Sequence, residues 1–239
     1  MNIAVIPARG GSKRIPRKNI KEFCGKPMIA YAIHAAKESG LFDHIVVSTD
    51  DDEIAEISNR WGAETPFKRP IELSDDYTPT VPVVSHSIEL CRALGWKFDA
   101  VCCIYPCAPF IEVTDLLEAH QQFIESSINY CFPVTEFPSA IQRALTIVGD
   151  GKIRAYCPEF TKTRTQDLEP AYYDAGQFYW GKAEAWLCDL NIHGNSMGYI
   201  IPNYRVVDID TAQDWLRAEL IYEAIQISEK RNTGTKNGI

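Results

Sequence analysis

Residues 2–19 read Asn2-Ile3-Ala4-Val5-Ile6-Pro7-Ala8-Arg9-Gly10-Gly11-Ser12-Lys13-Arg14-Ile15-Pro16-Arg17-Lys18-Asn19. The first six are a short apolar run closed by Pro, the pattern of an opening β-strand. A glycine-centred loop comes directly after it. Gly10-Gly11 lets a backbone approach a ligand closely and turn its N–H groups inward. Five of the 24 basic residues (Arg9, Lys13, Arg14, Arg17 and Lys18) fall between positions 9 and 18, with no acid among them. In open α/β sheets, the carboxyl end of a strand is where ligands bind. Arg9, Lys13 and Lys18 together can neutralise a triphosphate of about four negative charges. The spacing is neither that of a Walker A loop nor Gly-x-Gly-x-x-Gly. A solvated basic surface loop without a ligand is the competing reading.

Moving outward, strand-like and helix-like segments alternate. Residues 28–38 (MIAYAIHAAKE) carry apolar side chains at helical spacing, and Gly40 is a natural stop. Residues 44–49 (HIVVST) are a β-branched run, and 50–61 read as an amphipathic helix. Residues 80–94 and 114–126 are further helices, with a strand at 100–105 between them. This β-α-β-α order predicts an α/β fold, a doubly wound and mainly parallel sheet covered on both faces. The pattern changes near Tyr130. Residues 130–182 contain Pro, Gly and short alternating runs at 140–148 and 152–156, read as hairpin-like strands of a smaller lobe. Strand character returns at 199–209, a last helix covers 211–227, and 228–239 is a polar, flexible tail. The predicted organisation is therefore an α/β domain from 1–129 and 183–227, with a lobe at 130–182.

The 239 residues suit one sizeable domain, and 46% hydrophobic with 23% charged residues is ordinary for a globular core. A net charge of −8 disfavours non-specific nucleic-acid binding, so the local cationic loop implies a small anionic ligand. No stretch approaches the roughly 20 apolar residues of a membrane span. The N-terminus lacks the basic-then-apolar layout of a signal peptide, so a cytoplasmic protein is expected. Eight cysteines include no Cys-x-x-Cys pair and no His at zinc spacing. Several lie in apolar runs such as Val101-Cys102-Cys103-Ile104-Tyr105, which reads as reduced core thiols.

Two acidic clusters compete for chemistry. Asp208 and Asp210, in Val206-Val207-Asp208-Ile209-Asp210, would share one face of a strand. Adjacent carboxylates repel unless a cation lies between them, and Mg²⁺ commonly uses one or two carboxylates with phosphate oxygens. The alternative is a strand end with two solvated acids, Asp210 capping the next helix. Asp50-Asp51-Asp52-Glu53 resembles a metal cluster at first sight but is better read as the acidic start of a helix.

Residues 6–19 resemble the nucleotide-binding loop of the CMP-sugar synthetases, the acylneuraminate-type cytidylyltransferases. Gly25-Lys26-Pro27-Met28-Ile29, Val47-Ser48-Thr49-Asp50, Arg69-Pro70, Glu72-Leu73-Ser74-Asp75 and Asp208-Ile209-Asp210 are similar to family elements in the same order, over roughly residues 2–225. The resemblance implies a nucleotide-diphospho-sugar transferase-like fold. It implies attack by a sugar's anomeric hydroxyl on the α-phosphate of CTP, with pyrophosphate leaving. Arg9 and Lys18 become the catalytic residues, Lys18 close to the reacting phosphate. Ser12 and Lys13 join them on the phosphates around Gly10 and Gly11. Ala8 and Arg9 backbone groups would read the cytosine edge, and Asn19, Arg69 and Thr80 would serve nucleotide recognition. Asp208 and Asp210 would hold Mg²⁺. None of the five His residues falls in a matching motif. A homodimer is implied as well, the lobe reaching over the partner's site.

Arg164-Thr165-Gln166-Asp167 is similar to the sugar-contact element of that family, and Arg164 could pair bidentately with a sugar carboxylate. A Tyr-rich lobe core with a surface Arg is the competing reading. Sialate enzymes carry Leu-Gln-Pro-Thr-Ser-Pro where this chain has Ile104-Tyr105-Pro106-Cys107-Ala108-Pro109, and Asn-Gly-Ala where it has Asp174-Ala175-Gly176. With Phe137-Pro138-Ser139-Ala140-Ile141-Gln142-Arg143 and Tyr173-Asp174-Ala175-Gly176-Gln177-Phe178-Tyr179-Trp180, these resemble the pseudaminic acid branch. The implied partners are CTP and an acidic nine-carbon sugar contacted by Tyr105, Arg164, Gln166, Asp174 and Gln177. Sibling activities on sialic, legionaminic or Kdo sugars are the near alternatives. A non-catalytic nucleotide-binding protein is the distant one, against which Lys18 and the Asp208/Asp210 pair speak.

Overall fold

The computed structural model describes residues 1–236. Its elements are β1 (Asn2–Pro7), the two-residue strands β2 (Glu22–Phe23) and β3 (Lys26–Pro27), α1 (Ile29–Ser39), β4 (His44–Ser48), α2 (Asp52–Trp61) and α3 (Thr80–Ala93). Next are β5 (Ala100–Ile104), α4 (Val113–Glu125), β6 (Tyr130–Glu136), β7 (Leu145–Val148), β8 (Lys152–Ala155) and β9 (Tyr172–Asp174). Last come β10 (Phe178–Lys182), α5 (Ala183–Leu187), β11 (Ser196–Ile200) and α6 (Ala212–Lys236). Among the described residues the main sheet has seven strands in the order β11-β6-β10-β5-β1-β4, with β9 paired to β6. β4, β1 and β5 run parallel, as do β11 and β6, whereas β10 lies antiparallel between β5 and β6.

Side chains that alternate along the central strands sort into two cores, as the two-residue period of a strand requires. Ala4, Ile6, Val47, Cys102, Ile104 and Trp180 pack with α1, α2 and α4 on one face. Ile3, Val5, Val46, Val101, Cys103 and Tyr179 pack with α3 and α5 on the other. A third cluster joins Phe23, Met28 and Tyr31 to Ile209 and Trp215, tying the first loop to the last helix. Cys91, Cys102, Cys103 and Cys131 are buried free thiols, as the apolar runs suggested.

The acidic run at 50–53 is a helix start: Asp51 caps α2 by accepting from Ile54 N at 3.0 Å, with Asp52 and Glu53 in the first turn. α1 ends as expected at Gly40, whose φ of 63° is the left-handed value glycine tolerates.

The fold departs from the sequence expectation in five places. The lobe is narrower than residues 130–182, because Tyr130–Glu136 and Phe178–Lys182 are buried strands of the main sheet, and only 137–171 extends beyond it. Within it the strand expected at 140–148 begins only at Leu145, after a 3-10 turn at Ile141–Arg143. The strand expected at 199–209 is Ser196–Ile200. Pro202 and a 3-10 turn at Asn203–Arg205 then carry the chain off the sheet edge, so 206–210 joins no ladder despite its β-branched residues. The last helix runs through Lys236, since extending an existing helix needs no new nucleus. Of the expected flexible tail, 237–239 lie outside the described residues. Asp210 is not the cap of that helix: Thr211 and Asp214 form a reciprocal pair there, Asp214 N donating to Thr211 Oγ1 at 3.2 Å and Thr211 N to Asp214 Oδ2 at 2.8 Å.

Candidate active site

The carboxyl ends of β1 and β5 open on one cleft of about 1290 Å³. Ala8 N donates to Ser48 O at 2.9 Å, extending the β1–β4 pairing one step before the loop departs. Ile15, 3% exposed, plugs the loop into the cluster around Phe23 and Trp215. Asn19 is buried and its amide donates to Arg9 O at 2.9 Å, closing the loop's two ends on each other. Gly10 N donates to Asp50 Oδ1 at 2.9 Å, and a Cβ at Gly10 would lie 2.6 Å from Asp51 Oδ2. Gly10 is thus required by the start of α2. A Cβ at Gly11, which is exposed, would meet nothing within 4 Å.

The loop's cations are held by carboxylates distant in sequence. Asp76 pairs with Arg9 Nη1 and Lys13 Nζ, both at 2.5 Å. Together Lys13 and Arg9 keep the Asp76 carboxyl below its ordinary range. Arg17 grips Asp51 at 2.5 and 2.8 Å, the main cause lowering the Asp51 pKa to about 2. Lys18 Nζ donates to Ile209 O at 2.7 Å and lies 3.4 Å from Asp210 Oδ1, while Arg14 pairs with Asp210 Oδ2 at 2.7 Å. Burial, then the neighbouring Asp210 charge, raises the Asp208 pKa. Two interacting carboxylates, one of them short of solvent, form a donor set that suits a hard cation. Among the described residues no group of three or more His, Cys, Asp or Glu could hold a metal, so any ion here needs further oxygens from a ligand.

Arg69 reaches the cleft from the chain after β4 with only 4% exposure. Its Nε donates to Ser74 Oγ at 3.1 Å, but Nη2 stands 3.7 Å from Asp50 Oδ1 and has no hydrogen bond. A buried guanidinium donor without an acceptor is a group left for a ligand.

The opposite wall is Tyr-rich. Thr80 Oγ1 and the Tyr105 hydroxyl are 2.8 Å apart. Tyr179 donates to Asp174, 3.0 Å from each carboxylate oxygen, and Gly176 N donates to the same Asp174 at 2.8 Å. Cys107 Sγ donates to Asn19 Oδ1 at 3.3 Å, and burial pushes its pKa up to about 12, so it stays a thiol at neutral pH.

Of the residues predicted from sequence, Arg9, Ser12, Lys13, Lys18, Asn19 and Arg69 line the cleft, as do Thr80, Tyr105, Asp174, Asp208 and Asp210. Ala8, Gly10 and Gly11 lie on the loop but do not line it, and Ala108 is buried behind the wall. The Asp208/Asp210 juxtaposition does not come from a strand face, as predicted; an irregular segment delivers both. Arg164 and Gln166 are exposed and outside the cleft of their own chain, where Arg164 pairs with Asp167 at 2.7 Å. Gln177 is 4% exposed and donates to Arg205 O at 2.7 Å, so within this chain it is a structural amide behind the wall. Asp76 was missed because the motif Glu72-Leu73-Ser74-Asp75 stops one residue short of it. Tyr179 and the buried pair Arg205–Asp115 carry no local sequence signal, their partners being remote or on another element.

A family model described as cytidylyltransferase matches residues 3–145. Over 223 residues the chain is 44% identical to the pseudaminic acid cytidylyltransferase of Campylobacter jejuni, covering 93% of this chain and 96% of that one. It is 30% identical over 235 residues to the CMP-N,N'-diacetyllegionaminic acid synthase of Legionella pneumophila, covering 94% and 97%. A solved CMP:2-keto-3-deoxy-manno-octonic acid synthetase complexed with CTP has the same fold, with TM-score 0.66 at 16% identity over 93% of this chain and 99% of the other. On sequence along most of its length, the chain belongs to the cytidylyltransferase family.

Proposed function

We propose that this protein transfers CMP from CTP to pseudaminic acid, releasing pyrophosphate. The observation that carries the reading is that one cleft brings the cationic loop and the Asp208/Asp210 pair together with the Thr80–Tyr105 and Tyr179–Asp174 wall. The 44% identity to the Campylobacter enzyme supports the choice of sugar. Arg9 and Lys13 bind the phosphates, exchanging Asp76 for phosphate oxygens, and Lys18 meets the charge that develops at the α-phosphate. Arg69 Nη2 donates to the nucleotide. The sugar's anomeric oxygen bonds to the α-phosphorus, its hydroxyl proton passing to solvent, as the bond from that phosphorus to the oxygen bridging to the β-phosphate breaks, and pyrophosphate carries that electron pair away. Positioning and charge neutralisation are what such a transfer needs from a protein. Asp208 and Asp210 fit a Mg²⁺ ion, which when bound neutralises phosphate charge.

On the sugar side, Tyr105 and Cys107 stand where sialate enzymes place Gln and Thr, a wall with fewer hydrogen-bonding groups that suits a deoxygenated sugar. Arg164 and Gln166 fit this reading as contacts to the sugar in a second subunit. The arm presents Leu145, Ile147, Ile153 and Tyr156 at 62–80% exposure, apolar surface that a homodimer covers. Incubation with CTP, Mg²⁺ and pseudaminic acid yields CMP-pseudaminic acid, and excess chelator stops it. Turnover that persists in chelator removes the metal assignment, and absence of a CMP-sugar removes the activity.

A further inference from the structure

We propose that Arg205 is a positioning residue, whose ion pair with Asp115 fixes the segment 206–210 and so sets Asp208 and Asp210 against Lys18. This role rests on the proposed function, in which those two carboxylates serve the phosphates. Segment 206–210 belongs to no strand or helix, so nothing in a backbone ladder determines where its acids stand. Downstream it is held by side chains, with Asp214 accepting from Asp210 N at 3.3 Å and Lys18 donating to Ile209 O at 2.7 Å. Upstream the anchor is Arg205. Its Nη1 and Nη2 lie 2.5 and 3.0 Å from the two oxygens of Asp115, and Nη1 lies 3.2 Å from Glu112. Both acids belong to the start of α4, where Asp115 also accepts from Glu112 N at 3.2 Å. Gln177, just before β10, donates to the carbonyl of Arg205.

The side chains of Arg205 and Asp115 are 7% and 2% exposed. Burying such a pair costs desolvation that its attraction roughly offsets, and apolar replacements of both partners are often neutral for stability. What a planar guanidinium gripping both oxygens adds is direction. Arg205 does not line the cleft and stands three residues before Asp208, close enough to orient it. Misplacement of a reacting group by about 1 Å can cost on the order of a hundredfold in rate.

The test uses the full chain with Arg205→Lys, which keeps the charge but loses the fork. A second variant, Arg205→Met with Asp115→Leu, removes the pair without stranding a buried charge. Pyrophosphate release from CTP and sugar is measured with hydrogen exchange of amides 206–210. We expect kcat to fall roughly tenfold or more in both, with KM for CTP within about twofold. Amides 206–210 should exchange faster while those of β1 and β5 do not change. The Met/Leu variant regains the wild-type Tm but not kcat. In an Asp208→Asn background, Arg205→Lys lowers kcat by a smaller factor than in the wild type, as expected of a residue acting in part through Asp208. Recovery of kcat together with Tm in the Met/Leu variant, or unchanged exchange at 206–210, overturns the proposal. Undiminished turnover of Asp208→Asn instead removes Asp208 as a working carboxylate, and the exchange result alone then decides whether Arg205 clamps the segment.

Discussion

The loop after β1 and the arm at 137–171 are both polar and largely irregular, yet their charges are satisfied in opposite ways. In the loop, partners come from across the chain: Arg17 reaches 34 residues to Asp51, Arg9 reaches 67 to Asp76, and Lys18 reaches 192 to Asp210. In the arm they come from within the arm itself. Arg164 pairs with Asp167 three residues on, Arg143 donates to Thr163 O at 3.3 Å, and Gln142 donates to Glu169 O at 2.8 Å. The loop is a wall that exists only when the whole domain is folded. The arm is a self-contained extension that leaves its apolar hairpin and Arg164 exposed. On the proposed reading, chemistry belongs with the first, and recognition across a subunit boundary with the second.

The largest expected effect breaks the long-range side of this contrast. Asp210→Ala should lower kcat by at least ~10²-fold, since it removes both an anionic oxygen pair and the partner of Lys18 and Arg14. Circular dichroism should show a folded protein, and normal turnover would mean that the cleft's acids are bystanders. Lys18→Ala should come next, with kcat reduced by roughly 10–10² and a smaller change in KM for CTP. A change confined to KM would reduce Lys18 to general attraction.

Arg164→Ala sharpens the local side. It should raise KM for the sugar by about tenfold and leave KM for CTP unchanged. If the arm serves the neighbouring subunit, mixing inactive Asp210→Ala protein with Arg164→Ala protein restores activity, because one site of a mixed dimer carries neither lesion. Additive behaviour on mixing, or a 26.9 kDa monomer in light scattering, contradicts the trans arrangement.

The smallest effect concerns stability. The Asp51 carboxyl is lowered from 3.8 to about 2, mainly by Arg17 against an opposing burial effect. A lowered folded-state pKa stabilises above the unfolded value and is lost as pH falls through the folded one. Asp51→Asn should therefore be less stable than wild type by on the order of 1–2 kcal/mol at pH 7. The gap should close between about pH 4 and pH 2 in urea titrations. A gap that persists at pH 2 assigns the effect to packing.

Legibility in the sequence divides along the same line. The core strands and α1 were legible because apolar period and a terminal Gly are local signals. The cationic loop after β1 was legible because glycines and cations sit side by side. Asp208 and Asp210 were singled out by strand alternation and by the family resemblance; they line the cleft, but from an irregular segment whose neighbours Arg205, Ile209 and Asp210 contact Asp115, Lys18 and Asp214. Gln177 was taken for a sugar contact because its motif resembles the pseudaminic acid branch, and only the fold reveals that it is buried against the Arg205 carbonyl. Residues 130–136 and 178–182 were assigned to a lobe since an antiparallel strand inserted into a parallel sheet has no distinct local pattern.

The most direct test is pyrophosphate release from CTP, measured across a panel of nonulosonic acids. The cleft predicts efficient turnover of pseudaminic acid and a kcat/KM for sialic acid lower by roughly 10²-fold or more, since its extra hydroxyls would be buried unpaired at about 1–3 kcal/mol each. Equal efficiency on the two would contradict the role given to Tyr105 and Cys107, and a preference for legionaminic acid would overturn the sugar while keeping the reaction. No pyrophosphate with any member of the panel would contradict the reaction itself.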